Sequence, residues 1–490
     1  MDFTTLTLDR TGGLPLYRQV CDALAAAIGG GDIRPGERLP SERDLAGCLS
    51  LSRTTVVNAY RELQARGLVR GHVGRGTVVC AEPESDGAPF AWRGKVAVAA
   101  QRTMDTSLRT LVRSAEDTDL ISLAAGAAAL ECFPLDDFRE RCDAVLRDNP
   151  AGALGLGPTE GQPEFRRALA ARFGARPEQV LVLTGGQQGL DLIARCLLDP
   201  GDYVVMDRPG YLGAIQTFRA AGARIAGWDL ARADLGELED LLLRYRPKLL
   251  YTNPTFQNPT GRVLPAADRR DLLGLAARYR LPVVEDEPYR ALGFGTEPPP
   301  TLFHLDRHDL VIHLSTYSKT LASGLRLGWL AAAPAVVEQL TLIKQRSDVF
   351  SPSLPQLVVA GMLRDGRLDA HIETLRLEHA RRHHAMDAAL QRQMPPGSMS
   401  FAPVTGGIFL WCRLHPSIDG EAVLVEADRA GVSYVRGDLF YADRAGAQEM
   451  RLCFSATAAA RIDEGIRRLA GAVTSARRRR TVDEGTRSVD

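Results

Sequence analysis

Apolar residues recur at helical spacing near the start of the chain. Val20, Leu24 and Ile28 lie four residues apart and predict the apolar face of a first helix, which a run of three glycines ends. A Pro-Ser pair then opens a second helix with Ser41 as its cap, and Ser52 opens a third. The chain is therefore expected to begin with three short helices.

The third helix separates buried from exposed positions. Val56 and Tyr60 belong to its buried face, which leaves Arg53 outward at its first turn. Two β-prone runs joined by a glycine-rich turn follow over 68–79 and predict a two-stranded wing. Together these elements predict a winged helix-turn-helix domain over 12–80.

The pattern changes after residue 80. Residues 81–115 have the composition of a linker. Short apolar runs then alternate with helical patterns from about 120 to 345, which predicts an α/β domain with a largely parallel sheet. A long helix and short strands from about 355 predict a smaller α+β lobe, so that this second domain covers 116–475 and a disordered tail covers 476–490. Examples of the predicted strands are Val180–Thr184, Tyr203–Met206, Lys248–Thr252, Val283–Glu285 and Leu310–Leu314.

Composition limits the class of protein. The 490 residues are 45% hydrophobic and 24% charged, which is typical of a globular protein. No apolar run is long enough to span a membrane and the first residues lack the features of a signal peptide, so we expect a cytoplasmic protein. The eight cysteines are scattered without a CxxC pair and are expected to be reduced thiols.

Charge is unevenly distributed although the net charge is zero. Residues 34–75 contain eight arginines against four acids, which suits nucleic acid but also fits a solvated helical face. The whole chain has only four lysines. A lysine at a chemical site is therefore expected to perform chemistry that arginine cannot.

Four segments of the second domain share one feature, polar residues at a strand end. The loop 184–188 offers amides that suit a phosphate, although glycine pairs are common in turns, and 253–261 is a second loop at a strand end that alone is more simply a plain turn. Asp286 lies among three acids directly after a buried strand, where carboxylates are costly unless partnered, and a pyridinium nitrogen is a suitable partner. Lys319, with Arg326 seven residues later, can form a Schiff base with an aldehyde.

A fifth segment places a charge inside an apolar strand. Arg451 stands within Met450–Phe454, and a buried guanidinium needs an anion. An amino-acid carboxylate would fit it in a bidentate manner.

A histidine cluster suggests a metal site, but the interpretation is weak. His379, His383 and His384 stand among arginines on a predicted helix, with Glu378 as the nearby acid. A solvated helical face is the better interpretation, and we expect no metal.

The motifs of the first domain form a specific set. They are Leu14–Tyr17, Leu39–Ala46, Ser52–Val56 and Gly74–Thr77. This set resembles the GntR family of winged-helix regulators over about 65 residues. The resemblance implies that the third helix enters the major groove of double-stranded operator DNA. Arg43, Arg53, Thr54 and Arg75 would then contact the DNA.

The five chemical segments, in this order over about 120–470, resemble fold-type-I, class I aminotransferases. The resemblance implies pyridoxal phosphate as cofactor, with Lys319 carrying it as a Schiff base and Asp286 keeping its pyridine nitrogen protonated. Arg451 would take the carboxylate of an amino acid. The other implied contacts are Asn258 and Tyr289 at the ring hydroxyl, Tyr211 on the ring face, and Gly186, Gln187, Thr316 and Arg326 at the phosphate.

One position departs from that family. Leu156 stands where the family usually has a tyrosine that reaches the cofactor phosphate of the neighbouring subunit. Leucine cannot make that bond, so weaker cofactor binding or weaker catalysis is expected.

The two domains in this order resemble the MocR subfamily of GntR regulators. The resemblance implies a homodimer whose DNA binding responds to an amino acid, an amine or pyridoxal phosphate itself. The alternative is a working aminotransferase with a DNA-binding attachment, since every residue needed for half-transamination is present. Sustained turnover without sequence-specific DNA binding would favour that alternative.

Overall fold

The computed structural model describes residues 3, 8–9, 14–72, 76–80, 96–97, 100, 120–295 and 297–487, with side chains as far as 478. The chain divides into two compact units, Met1–Val96 and Ala97–Asp490. Among the described residues, no helix combines the length and the apolar character needed to cross a membrane.

The first unit is three helices and a hairpin, as predicted. Its side chains Val20, Leu24, Leu45, Val56 and Leu63 are fully buried and form one core. The antiparallel strands pair in the order expected of a wing. The elements are α1 (Leu16–Gly29), α2 (Glu42–Leu49), α3 (Arg53–Ala65), β1 (Val69–His72) and β2 (Gly76–Val79).

Serine caps fix where α2 and α3 begin. The Ser41 hydroxyl accepts the backbone N–H of Asp44 at 3.2 Å, and the Ser52 hydroxyl accepts that of Thr55 at 3.1 Å. Each bond satisfies one of the amides that a helix start leaves without a partner. The first turn of α3 is thereby fixed beginning at Arg53.

The second unit is built on a seven-stranded sheet, which confirms the predicted α/β fold. The strand order is β4-β10-β9-β8-β7-β5-β6, and only β10 runs antiparallel to its neighbours. Apolar side chains cover both faces, as in most sheets flanked by helices. The strands are β4 (Val180–Leu183), β5 (Tyr203–Asp207), β6 (Arg224–Trp228), β7 (Leu249–Thr252), β8 (Val283–Asp286), β9 (Val311–Thr316) and β10 (Gly328–Ala331).

Helices separate these strands along the chain. They are α4 (Leu135–Asp148), α5 (Pro150–Leu154), α6 (Pro163–Phe173), α7 (Gly186–Leu197), α8 (Leu212–Ala220), α9 (Leu235–Tyr245), α10 (Ala266–Tyr279), α11 (Leu302–Leu305), α12 (Pro334–Asp348) and α13 (Ser353–Arg364).

A smaller lobe completes the unit. Its four-stranded sheet has the order β11-β12-β15-β14, and β13 pairs in parallel with β3 from the start of the unit. The elements are β3 (Ile121–Ser122), α14 (Arg367–Gln393), β11 (Met399–Phe401), β12 (Phe409–Leu414), α15 (Gly420–Arg429), β13 (Val432–Ser433), β14 (Val435–Arg436), β15 (Glu449–Cys453) and α16 (Ala459–Arg487).

Two predicted boundaries need correction. The lobe was expected from about residue 355, but Val358 and Met362 of α13 pack in the core of the large sheet, while the lobe's own core includes Met386 in the second half of α14. A disordered tail was expected from 476, but α16 continues to Arg487 and Ala476 is buried. The predicted linker, 81–115, lies almost entirely outside the described residues.

Candidate functional site

The candidate site lies at the carboxyl ends of the central strands. Ligands of open α/β sheets usually bind at this edge, because the loops that leave neighbouring parallel strands converge there. A cavity of about 200 Å³ opens at this position. All nine predicted cofactor-binding residues line it, namely Gly186, Gln187, Tyr211, Asn258, Asp286, Tyr289, Thr316, Lys319 and Arg326.

Lys319 follows β9 and its side chain is half-buried. Its Nζ donates to the backbone carbonyl of Gly126 at 2.5 Å. Burial, with further contributions from the nearby Arg451 and Arg326 guanidiniums, lowers the pKa of Lys319 to about 8. A substantial fraction of this amine is therefore neutral near physiological pH and able to act as a nucleophile.

Asp286 ends β8 and is 7% exposed. The hydroxyl of Tyr251, on the adjacent β7, donates to its Oδ2 at 2.7 Å. Burial raises the pKa of Asp286 to about 6, while the bond from Tyr251 and the charge of Lys319 act in the opposite direction. A buried carboxylate of this kind suits a cationic ring nitrogen.

At the end of the cavity formed by Arg326, the backbone of a glycine turn lies close to the arginine side chain. Gly185 has a φ of +85°, and a Cβ added there would lie 2.6 Å from Nη2 of Arg326. That guanidinium donates to the carbonyl of Thr184 at 3.0 Å. The N-terminus of α7 begins at Gly186 and carries free amides, so this glycine turn fits a bound phosphate. Thr316 and the serines 318 and 323 add hydroxyl groups to the cavity wall.

A buried lysine is linked to this glycine turn through an aspartate. Lys344 is fully buried and donates to Oδ1 of Asp348 at 2.8 Å. Oδ2 of Asp348 accepts from Thr184 at 3.0 Å and from the Gln188 amide at 2.6 Å. The end of α12 is thus hydrogen-bonded to the loop that precedes α7.

Arg451 lies beside the cavity on β15 and is 7% exposed. Its guanidinium donates to Oδ1 of Asn258 at 2.9 Å and to the carbonyl of Ala124 at 2.8 Å, and it lies 4.0 Å from the centre of the Phe409 ring. Its Nε has no partner, and no carboxylate of the described residues forms an ion pair with it. Burial lowers the pKa of Arg451.

The backbone carbonyls of one segment accept hydrogen bonds from three polar side chains. The carbonyl of Ala124 accepts from Arg451, and that of Gly126 accepts from Lys319. The carbonyl of Ala127 accepts from the Ser455 hydroxyl at 2.5 Å. The segment 124–127 therefore forms part of the site although its side chains are only Ala and Gly.

Sequence reasoning missed some residues of the cavity. Asn253 and Ser318 stood within the motifs and line the cavity, but no role was predicted for either of them. Tyr251 was missed although a buried tyrosine hydroxyl usually requires a hydrogen-bond partner, which was the available signal.

Three of the four predicted DNA-contacting residues lie at exposed positions on α2 and α3. Arg43 lies on α2, and Arg53 and Thr54 form the first turn of α3. Arg53 is 74% exposed in its side chain and forms a surface ion pair with Glu42 at 3.2 Å, an interaction of little net energy. Arg75 lies outside the described residues.

The histidine cluster on α14 differs from its prediction. His379 is fully buried and His383 is half-buried, so only His384 lies on a solvated face. Burial lowers the pKa of His379 to about 4. The neighbouring Arg382 is also buried and pairs with Glu378 and Glu131. Among the described residues no group of His, Cys, Asp and Glu has the arrangement of a metal site.

Leu156, where the predicted departure from the family lies, is 90% exposed. Leu154 of α5 is 72% exposed and stands two residues before it. Single exposed apolar side chains are common on protein surfaces, so it is the presence of two within three residues that marks a candidate contact surface.

Comparison with known proteins matches both halves of the chain. Residues 118–469 match the family model "Aminotransferase class I and II", and residues 16–79 match "Bacterial regulatory proteins, gntR family". The structure of LysN, the α-aminoadipate aminotransferase of Thermus thermophilus, complexed with N-(5'-phosphopyridoxyl)-L-leucine, is 35% identical. Its TM-score is 0.75, and the match covers 79% of this chain and 99% of LysN.

Relatives that match both domains are regulators by name. The uncharacterized HTH-type transcriptional regulator YdfD of Bacillus subtilis is 31% identical over 92% of this chain and 95% of its own length. The "Probable rhizopine catabolism regulatory protein MocR" of Rhizobium meliloti is 28% identical over 88% of each chain. The fold and these matches confirm pyridoxal phosphate as the cofactor. The chain belongs to the class I and II aminotransferase family and carries a gntR-family DNA-binding domain at its N-terminal end, as MocR-type regulators do.

Proposed function

We propose that this protein is a transcription regulator that holds pyridoxal phosphate at Lys319 and whose binding to operator DNA responds to a small amine or amino acid, or to the cofactor itself. One observation carries the proposal. Arg451 is buried beside the Lys319 cavity without a carboxylate partner among the described residues, in a chain that also has a DNA-binding domain. A buried cation of this kind favours an anionic ligand group.

The cofactor would lie with its phosphate at the glycine turn. Gly186 and Gln187 would bind it through the N-terminus of α7, where the helix dipole favours an anion. Thr316 would add a hydroxyl donor and Arg326 a charge. When bound, the cofactor supplies an electrophilic aldehyde and an electron-withdrawing ring.

Four side chains would orient the ring. Asp286, held by Tyr251, would accept a hydrogen bond from the pyridine nitrogen and keep that nitrogen protonated. Asn258 donates to the Tyr289 hydroxyl at 3.3 Å, and this pair would bond the ring hydroxyl. Tyr211, whose hydroxyl lies 3.3 Å from Gln187, would stack on the ring face.

The ligand would be recognised at both of its ends. Arg451 would take a carboxylate through two N–H groups, exchanging its present bonds to Asn258 and Ala124 for charge-assisted ones. The amine of the ligand would lie at Lys319, the residue that would hold the cofactor. Closing of the small lobe around such a ligand is an ordinary hinge response, and it can alter DNA binding only by the ligand's differential affinity for the two arrangements.

Operator contacts would come from the first unit. Arg53 and Thr54 begin the helix that would enter the major groove, where side chains reach base edges. Arg43 on α2 and Arg75 in the wing would contact the DNA on either side. The protein would act in the cytoplasm as a homodimer formed through its large domains, and the exposed Leu154 and Leu156 support such a contact surface.

A working aminotransferase is the second candidate. It is favoured by the complete set of nine cavity residues and by the 35% identity to LysN. Purified protein should be assayed both for steady-state amino-group transfer and for protection of operator DNA, with spectral titration of the holoprotein by candidate amines. Sequence-specific binding that an amine alters, without sustained turnover, is the expected result.

Arg451→Ala separates ligand sensing from cofactor and DNA binding. We expect the variant to retain pyridoxal phosphate and basal operator binding but to lose the response to an amino-acid effector, because the carboxylate loses its bidentate partner. Electrophoretic mobility shifts with and without effector measure this. Arg413→Ala, which removes an exposed arginine of the neighbouring β12, is the matched control and should respond normally. A normal response in Arg451→Ala would mean that the effector is not held by a carboxylate.

The lowered pKa of Lys319 predicts how the rate of cofactor attachment depends on pH. Only the neutral amine attacks an aldehyde, and this amine has a pKa of about 8. We expect the rate at which pyridoxal phosphate attaches covalently to the apoprotein, measured by stopped-flow absorbance, to increase with pH up to about 8 and then to level off. An ordinary lysine, with a pKa of about 10.4, would keep accelerating to higher pH. A midpoint near that ordinary value would show that burial does not tune this amine.

A further inference from the structure

The glycine turn of the cofactor site is bound at both of its ends by one carboxylate. Thr184 and Gln188 are the first and last residues of this turn. The Thr184 hydroxyl donates to Oδ2 of Asp348 at 3.0 Å, and the Gln188 amide donates to the same oxygen at 2.6 Å. The Gln188 side chain also accepts the backbone N–H of Thr184 at 2.7 Å. Asp348 therefore holds the turn on which the phosphate would lie.

A strained backbone turn keeps Asp348 in this position. Val349, the next residue, has a φ of +64° and a ψ of −58°, a conformation that β-branched residues rarely adopt. The Phe350 N–H donates to the Asp348 carbonyl at 2.7 Å, so these three residues form a γ-turn of the rare, strained kind. The chain then returns to the glycine turn, where the Ser351 hydroxyl lies 3.0 Å from that of Thr184. Such strain persists only where the surrounding contacts impose it.

A carboxylate at this place is unfavourable for phosphate binding unless a cation compensates its charge. Asp348 is one hydrogen bond away from either end of the turn, and a bound phosphate would bring further negative charge to the same turn. Thr184 and Gln188 are neutral donors, so they do not cancel the charge of the carboxylate. Like charges repel strongly in a partly buried site, because little water is present to screen them.

Lys344 supplies the compensating cation. It lies one helical turn before Asp348 on α12, its side chain is fully buried, and its Nζ donates to Oδ1 of Asp348 at 2.8 Å. Within the part of the chain that the structure describes, Asp348 forms no other ion pair. Burying an ammonium group is costly, and an apolar side chain of similar length would fill the same space without that cost. Packing alone therefore does not explain a lysine here.

We propose that Lys344 is a positioning residue for the cofactor phosphate: it neutralises Asp348, so that this carboxylate holds the glycine turn without repelling the phosphate. Neither Lys344 nor Asp348 lines the cofactor cavity, so both act through the turn. The inference rests on the phosphate placement of the proposed function, and the test below separates the two.

The proposed role predicts a loss that is specific to the phosphate group. Lys344→Met leaves Asp348 without its cation, which should weaken binding of pyridoxal phosphate but not of pyridoxal, whose ring and aldehyde are the same. The full-length protein, freed of cofactor, is titrated with each compound at about pH 8, where a carboxyl group is ionised, and the absorbance of the bound ring is followed. We expect the preference for pyridoxal phosphate over pyridoxal to fall by about tenfold or more.

A charge-balanced variant separates electrostatics from packing. Lys344→Met combined with Asp348→Asn removes both charges, and asparagine keeps an oxygen that can accept from Thr184 and Gln188. We expect this double variant to recover most of the preference for pyridoxal phosphate, whereas two independent packing defects would add. Arg346→Met, which removes an exposed cation from the same helix, is the matched control and should bind both compounds as the wild type does.

Arg326→Ala tests the phosphate placement itself. This guanidinium would contact the phosphate directly, so its loss should also reduce the preference for pyridoxal phosphate. A reduced preference in Arg326→Ala together with an unchanged one in Lys344→Met would overturn the role of Lys344 and leave the placement intact. An unchanged preference in both variants would show that the phosphate does not lie at the glycine turn, and the inference would fail with that placement.

Two further results would reduce Lys344 to a structural residue. One is an equal loss of affinity for pyridoxal phosphate and pyridoxal in Lys344→Met, and the other is a double variant that binds pyridoxal phosphate no better than Lys344→Met does. Lys344→Gln removes the charge and keeps a polar side chain, so it serves for the same titrations where Lys344→Met does not fold. Its preference for pyridoxal phosphate should fall in the same way.

Discussion

Lys319→Ala is expected to abolish the covalent attachment of pyridoxal phosphate. The cavity would retain Asp286, Thr316 and Arg326, so the cofactor can still bind without a covalent link. Borohydride reduction followed by peptide mass spectrometry should find the cofactor on Lys319 in the wild type and on no lysine in the variant. The visible absorbance of the attached cofactor should disappear in parallel.

The chain offers a matched control for this substitution. Lys248 is one of only four lysines, and it is exposed at the start of β7. Lys248→Ala should keep the attached cofactor and its absorbance. A normal adduct in Lys319→Ala would place the covalent link on another residue and would remove the basis of the whole proposed site.

Arg53→Ala is expected to weaken operator binding by about 1–3 kcal/mol if this residue contacts a guanine with both guanidinium nitrogens. The side chain is exposed, and the Ser52 cap of α3 is unchanged, so the fold should persist. Footprinting at several salt concentrations measures the effect, because the electrostatic part of binding falls steeply as salt rises. Cofactor absorbance should remain as in the wild type.

Arg53→Lys distinguishes charge from base recognition. Lysine keeps the positive charge but loses the planar pair of donors. We expect it to retain non-specific DNA binding and to lose preference for the operator. An unchanged footprint in Arg53→Ala would show that the first turn of α3 does not contact the bases.

The elements that the sequence predicted best are those fixed by local chemistry. Ser41 and Ser52 cap their helices where their spacing indicated, because an N-cap bond joins residues only three apart. The five strands named from the sequence also agree closely with β4, β5, β7, β8 and β9, since continuous apolar runs are typical of strands buried on both faces. The nine cofactor residues lie together because they follow strands that end at one edge of the sheet.

Long-range contacts explain what the sequence could not provide. Tyr251 on β7 donates to Asp286 at the end of the adjacent β8, at a separation of 35 residues. The arginines next to His379 in the sequence indicated a solvated helical face, but both His379 and Arg382 are buried. Arg382 pairs with Glu131, which lies 251 residues away. The tail from 476 resembled a disordered segment by composition, yet Ala476 is buried with the apolar face of α16 in the core that includes Met386 of α14. None of these partners is visible from the neighbouring sequence.

Three backbone carbonyls in the segment 124–127 affect how this site tolerates mutation. They accept bonds from Arg451, Lys319 and Ser455 through main-chain oxygens. Substitution of a side chain cannot delete a main-chain acceptor, so a change in the segment's own sequence can disturb these contacts only by displacing the backbone. Three of the four residues are already alanine, and a Cβ added at Gly126 would lie 3.0 Å from the Phe409 ring. Removal of one of these hydrogen bonds by a side-chain deletion therefore requires a change at Arg451, Lys319 or Ser455, which donate them.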